Sequence, residues 1–296
     1  MTGQLGAWPQ APNAVMPQPA GRALDGVVVA DDVCALPLAR RMAAFLDRDP
    51  SRLRAGQSLP RGWHVIMFNP PTNQSQLRND GAAELGIPFP DVGLPRLLFG
   101  GRTVTFAGDI PIAAAARRET RSLGVQEKHG RSGRFVIVSI EHRIFAESAS
   151  EPAVVELSNY VMREAATPGS PQAAASRAPE QARVPDATRV IVPDAPMLFR
   201  YSAITDNPHR IHYDLAYATA TEGYPGLLVN GSIPSMFLLE MFRALAGREP
   251  VRFISRNLGQ VVCGETLRLC AKADGARWLL WAETASGAIA LDAEAA

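Results

Sequence analysis

The sequence predicts an α+β fold made of two units, each an antiparallel sheet wrapped around a helix. Three observations predict it. Long segments in which apolar and polar residues alternate recur in both halves of the 296-residue chain. One segment, "SIPSMFLLEMFRALA", is apolar on nearly every side, as a helix enclosed by a sheet must be. Between the two sets of strands lies "AATPGSPQAAASRAPEQARVPDA", residues 165–187, with four prolines and no aromatic residue, the composition of a linker. The expected organisation is a first unit over residues 30–164, a linker over 165–187 and a second unit over 188–296.

Taken in order, the N-terminal "MTGQLGAWPQAPNAVMPQPAGRALDG" lacks the basic-then-apolar pattern of a signal peptide and reads as a loose arm. A helix is expected from about Asp32 to Leu46. Asp31 or Asp32 would cap it, Pro37 is tolerated in its first turn, and Leu36, Ala39, Ala43 and Leu46 recur at helical spacing. "GWHVIMFN" is a short apolar run that suits either a buried short helix or a strand. Residues 70–95, rich in Pro, Gly, Asn and Asp, read as a long loop.

Strands are expected from Arg102. "ARRETRSLGVQEKHG" and "GRFVIVSIEHRIF" form a hairpin. In the second of these Val136, Val138, Ile140 and His142 share one face, and Phe135, Ile137, Ser139 and Glu141 the other. Lys128 and Arg131 at the hairpin tip could meet a phosphate but read first as a solvated turn, and "AVVELSNYVMRE" is the next strand. After the linker, "RVIV" and "MLFRYSAI" look extended or mixed. Ser232 is the expected N-cap of the buried helix, with Pro234 in its first turn and Gly247 at its end. "RFISRNLGQVV", "ETLRLCAKAD", "RWLLWAETA" and "AIALDAEA" complete a second meander, with turns at Asp274-Gly275 and Ser286-Gly287.

Composition narrows the function classes. A net charge of +1 gives no footprint for nucleic acid or an anionic membrane surface. No run approaches about 20 consecutive apolar residues, so no membrane span is expected. Cys34, Cys263 and Cys270 are too few and too scattered for a disulfide framework and read as buried small hydrophobes in a reducing cytoplasm. No glycine-rich nucleotide fingerprint or clustered ligand set is present, so no cofactor and no metal are expected.

One stretch stands apart. "FRYSAITDNPHRIHYDLAYA", residues 199–218, crowds two histidines, an Asp–Asn pair, a proline and an arginine between apolar segments. "SAITDNPHRIHYDLAYA" followed by "EGYPGLLVNGS" resembles the MaoC-like hydratase and dehydratase superfamily. Within it, the chain looks like the branch that holds mesaconyl-C4-CoA hydratases and mitochondrial-type 3-hydroxyacyl-thioester dehydratases. "LPRGWHVIMFNPPTNQSQLRNDG", "LPRLLFGGRTVTF" and "VQEKHGRSGRFVIVSIEHRIF" resemble that branch's non-catalytic first unit. The resemblance covers roughly residues 30–296 and implies a double hot-dog fold, catalytic in its second unit. Hot-dog units pair through their sheets, so a chain holding two can satisfy that internally and then form a homodimer.

Anchoring on "IHYD" makes His212 the histidine of the superfamily motif, with Asn207 at the usual aspartate position and His209 at the usual asparagine position. Asp206 is displaced by one residue. The resemblance implies addition of water to a short enoyl-CoA, with mesaconyl-C4-CoA as substrate. The same site run in reverse would dehydrate a 3-hydroxyacyl thioester on CoA or acyl carrier protein, and a non-catalytic acyl-binding hot-dog is the third reading. Such chemistry needs a base for water, and histidine suits it because its unperturbed pKa lies near neutrality. Asn207 can orient the water or the imidazole but cannot trade protons, while Asp206 either serves as the acid–base partner or simply forms the turn. His209 either contacts substrate or braces the loop. Gly231, at the opening of the helix in "VNGS", is the candidate oxyanion donor. A dicarboxylic acyl group would need a cation; Arg210 and Arg256 are the candidates, although Arg210 could equally pair with Asp206 or Asp214. His64, His129 and His142 have no motif around them and read as structural.

Overall fold

The computed structural model describes residues 22–24, 26–83, 87, 89–94, 96–130, 133–147, 149–164 and 183–296. Most of the N-terminal arm, Arg131 and most of the linker, with Arg177, lie outside them. The first half contributes β1 (Arg22–Leu24), β2 (Val27–Val33), α1 (Leu36–Phe45), β3 (Arg96–Phe106), β4 (Ala115–Gly130), β5 (Gly133–Ala146) and β6 (Val154–Arg163). The second contributes β7 (Ala187–Ile191), α2 (Ala195–Ile204), α3 (Ser232–Ala246), β8 (Arg252–Asn257), β9 (Leu267–Asp274), β10 (Arg277–Thr284) and β11 (Ile289–Ala295).

The strands pair in the order β1-β2-β4-β5-β6-β3-β8-β11-β10-β9-β7, so both meanders join in one eleven-stranded antiparallel sheet. The double hot-dog is thus continuous rather than two separate sheets. The joint is β3 against β8, with Gly101 opposite Arg256 and Thr105 opposite Arg252. Gly101 has φ +142°, and a Cβ there would lie 2.1 Å from the Ser255 carbonyl oxygen, so only glycine lets the strands approach this closely.

The β5 alternation holds: Val136, Val138, Ile140 and His142 are buried. α3 is largely buried from Ile233 to Phe242, with Ala244 and Leu245 of its last turn exposed. Phe237 packs at a tilt against Phe45 of α1 at 5.9 Å, while Phe45 also meets Tyr201 of α2 at 5.4 Å. The two units therefore share one core as well as one sheet.

Local expectations fail in three places, each for a tertiary reason. The first helix begins at Leu36 rather than Asp32, because residues 27–33 pair with β4, Asp32 opposite Ala116. Asp32 does not cap that helix; its Oδ2 accepts from the Phe68 backbone N–H. "MLFRYSAI" is helical in α2, opened by Asp194, whose Oδ1 accepts from Met197 N–H, with Pro196 in the first turn. Ser232 is not the N-cap of α3. Gly231 holds that position, and Asn230 Oδ1 accepts from Ser232 N–H, which leaves the Ser232 hydroxyl free for a partner in the other unit. "GWHVIMFN" resolves as a single 3₁₀ turn over Trp63–Ile66. Among the described residues, no helix is long and apolar enough to cross a membrane.

Candidate active site

A cavity of about 320 Å³ opens between the two units. The second unit walls it with Tyr201 of α2, the Thr205–Pro208 segment that follows, and Asn230 and Ser232 at the start of α3. The first unit supplies His64 and Phe68 from the segment before β3, then Arg102, Arg118, His142 and Glu156 from β3, β4, β5 and β6.

The motif segment is shaped by its own side chains. Thr205 closes α2 by donating its hydroxyl to the Tyr201 carbonyl. Asp206 then takes φ +47°, a left-handed conformation that an aspartate tolerates better than most residues. Asn207 Oδ1 accepts from His209 N–H at 3.2 Å, an Asx turn that Pro208 stiffens. One 3₁₀ turn, Arg210–His212, follows. Asp206 and Asn207 both face the cavity.

His212 is 8% exposed. Its Nδ1 lies 2.8 Å from the Leu228 carbonyl oxygen. A carbonyl can only accept, so Nδ1 carries the proton and Nε2 holds the lone pair in the neutral ring. Nε2 has no hydrogen-bond partner among the described residues. Burial pulls the His212 pKa down to about 4, against the upward pull of the Leu228 bond and with a further push from His209. The ring is therefore neutral at pH 7, in the tautomer a base requires. His209 stands edge-on to it at 5.7 Å and keeps Nε2 4.0 Å from Asp80.

Gly231 lies between the cavity-facing Asn230 and Ser232. A Cβ there would come 3.0 Å from Asn257 Nδ2, which donates to the Phe99 carbonyl oxygen. Its N–H makes no hydrogen bond among the described residues and is free to donate.

The two arginines singled out in the sequence lie elsewhere. Arg210 Nε and Nη2 both reach Asp214 Oδ2, at 3.0 and 2.8 Å, and its guanidinium covers the Tyr217 ring at 4.1 Å. It braces the loop. Arg256 is mostly exposed on β8 and pairs with Asp292 at 3.0 Å. Neither lines the cavity; nor do His209, His212 and Gly231, which adjoin its Thr205–Pro208 and Asn230–Ser232 walls in sequence without forming part of them.

What sequence reasoning missed is the opposite wall. Glu156, buried, accepts from His64 Nε2 at 2.8 Å and Arg102 Nη1 at 3.4 Å on one oxygen, and from the Ser158 hydroxyl at 2.6 Å on the other. Burial opposes its ionisation, but Arg102 and His64 hold its carboxyl well below the usual range. Arg102 Nη2 donates to Ser232 Oγ at 3.0 Å, tying the first unit to the start of α3. His142 bonds Thr120 through Nδ1 at 2.9 Å, and burial lowers its pKa to about 4. His64 and His142, read as merely structural, line the cavity. For His142, Glu156 and Ser158 the signal was strand parity; His64, in the 3₁₀ turn, had none. His142 follows Ile140 on the inward face of β5, and Glu156 and Ser158 follow Val154 on that of β6.

Comparison with known proteins agrees with this architecture. Residues 62–263 match the family model for hydroxyacyl-thioester dehydratase type 2. The chain is 38% identical over 266 residues to mesaconyl-C(4)-CoA hydratase of Chloroflexus aurantiacus, covering 90% of this chain and 92% of that protein. It is 34% identical over 99 residues to the mitochondrial hydroxyacyl-thioester dehydratase type 2 of Schizosaccharomyces pombe, about a third of each chain. The crystal structure of HtdX from Mycobacterium tuberculosis superposes with a TM-score of 0.63 at 16% identity, covering 91% of this chain and 98% of that one, a likeness of fold. The chain belongs to the hydroxyacyl-thioester dehydratase type 2 family.

Proposed function

We propose that the protein is a hydro-lyase that adds water to mesaconyl-C4-CoA to give citramalyl-CoA, with residues 188–296 carrying the base and residues 30–164 the acyl-side wall. The observation that carries the chemistry is the neutral, buried His212, its Nδ1–H committed to Leu228 and its Nε2 unclaimed. Nε2 takes a proton from water as the oxygen bonds to the β-carbon. The double-bond electrons move toward the thioester, and its oxygen gathers negative charge that the Gly231 N–H stabilises. The imidazolium then returns its proton to the α-carbon, so one water is added and the histidine is regenerated. Asn207, in the cavity wall, orients the water, and Asp206 is the adjacent group able to exchange a proton.

The acyl group is inferred from the 38% identity to a hydratase of that name. Run backwards, the same steps dehydrate a 3-hydroxyacyl thioester, a reading that the family-model match favours as the second choice. The test follows the loss of enoyl-thioester absorbance with mesaconyl-C4-CoA and with crotonyl-CoA. The expected result is preference for the charged substrate, and a fall in kcat of two or more orders of magnitude in His212→Ala with its fold intact. Near-full activity in folded His212→Ala would remove the mechanism. Preference of the wild type for crotonyl-CoA would remove the mesaconyl assignment.

A further inference from the structure

The cavity wall of the first unit carries two arginines, and only one of them is spoken for. Arg102 has Glu156 and Ser232. Arg118 lies on the inward face of β4, between the buried Ala116 and Thr120, where its backbone pairs with Ala30 of β2 and Ile144 of β5. Its guanidinium rests over the Phe68 ring at 5.2 Å and faces the cavity. Among the described residues it has no ion pair and no hydrogen bond, and its Nε is fully enclosed with no acceptor.

The nearby acids are committed. Both Glu156 oxygens are taken by His64, Arg102 and Ser158. Asp32 spends its oxygens on the N–H groups of Val33 and Phe68. Tyr160, also on this wall, brings no negative charge at pH 7, since burial pushes its pKa up to about 12, and burial keeps His142 a neutral ring, with a pKa of about 4. Glu156 and Asp32 still favour the Arg118 charge through space, but neither comes within hydrogen-bond or ion-pair distance of it. A guanidinium partly withdrawn from water with no acceptor in reach is costly, and its planar fork offers two parallel N–H donors to any carboxylate that enters.

We propose that Arg118 is the specificity residue that receives the free carboxylate of a dicarboxylic acyl thioester lying in this cavity, with the Arg102–Glu156–His64 network as its rigid backing. This rests on the proposed function for the thioester class of the ligand, and on the geometry of the wall for the carboxylate. It replaces Arg210 and Arg256, whose guanidinium groups are held by Asp214 and Asp292.

The test uses saturated thioesters that cannot be hydrated, so the readout is independent of turnover. Binding of succinyl-CoA, which carries a carboxylate on its β-carbon, is compared with binding of uncharged butyryl-CoA by titration calorimetry. The wild type is expected to bind succinyl-CoA at least ten-fold more tightly. Arg118→Met should abolish that preference while leaving butyryl-CoA affinity within about three-fold, which also reports that the cavity is folded. Arg118→Lys, which keeps the charge and the length but not the fork, should retain part of the preference. A ten-fold preference surviving in Arg118→Met, or undiminished in Arg118→Lys should the methionine variant not fold, would overturn the proposal, as would its absence in the wild type. A preference that depends on Arg118 in a protein that does not hydrate mesaconyl-C4-CoA would sink the proposed reaction and leave this inference standing.

Discussion

Acidification from pH 7 to pH 5 should cost the fold about 4 kcal/mol, and two histidines account for it. His212 and His142 are 8% exposed each, and burial lowers both pKa values from 6.5 to about 4. The native state prefers the neutral rings, so between those two pKa values the unfolded chain binds more protons, and stability falls as pH falls. For a group titrating near 6.5 unfolded and near 4 folded, linkage gives roughly 2 kcal/mol lost between pH 7 and pH 5. Burial lowers His209 as well and adds in the same direction. Glu156 works at lower pH: its depressed pKa contributes stability that is still present at pH 5 and lost only as pH falls further. Urea unfolding at matched ionic strength, at pH 7 and pH 5, measures the difference. His142→Asn removes one titrating ring and should reduce the pH dependence by about half, whatever it does to stability at pH 7. Equal stability of the wild type at the two pH values, within about 0.5 kcal/mol, would refute the claim that these rings are buried neutral.

The same depressed pKa places the acid limb of kcat/KM, corrected for the folded fraction, near pH 4 to 5; a limb near 6.5 would mean that the base is a solvated histidine and not His212. Gly101→Ala should destabilise by more than about 3 kcal/mol in urea unfolding, because its Cβ would meet the Ser255 carbonyl at 2.1 Å in a backbone conformation foreign to alanine, and a loss under 1 kcal/mol would show that the β3–β8 joint yields. Limited trypsin digestion should cut at Arg177 before Arg183, which is held by Asp292 at 2.5 Å and by the Trp281 ring. The nicked halves should elute together without denaturant, since β3–β8 pairing and the shared core join them, and separate elution would contradict that.

The sequence by itself determined what local pattern can encode. Alternation along Val136, Val138 and Ile140 set the inward face of β5, and unbroken apolarity marked α3 as enclosed. The spacing within "TDNPHRIHYD" placed Asp206, Asn207 and His212 in one short turn-rich segment, because the contacts that shape it span only a few residues. Even α2 was legible in hindsight, from Asp194 and Pro196 at its start. The tertiary structure decided everything that depends on which distant faces meet. Residues 27–33 carry helix-compatible caps, yet pairing with β4 makes them a strand. Arg102 meets Ser232 across 130 residues, and His64 meets Glu156 across 92. Arg118 is left without an acceptor because Glu156 is taken by Arg102, His64 and Ser158, and Asp32 by the N–H groups of Val33 and Phe68. Parity along a strand shows that a polar residue points inward, but its partner is chosen by sheet order and by the docking of one unit on the other. That order is settled by long-range burial of the common core, which no window of local sequence contains.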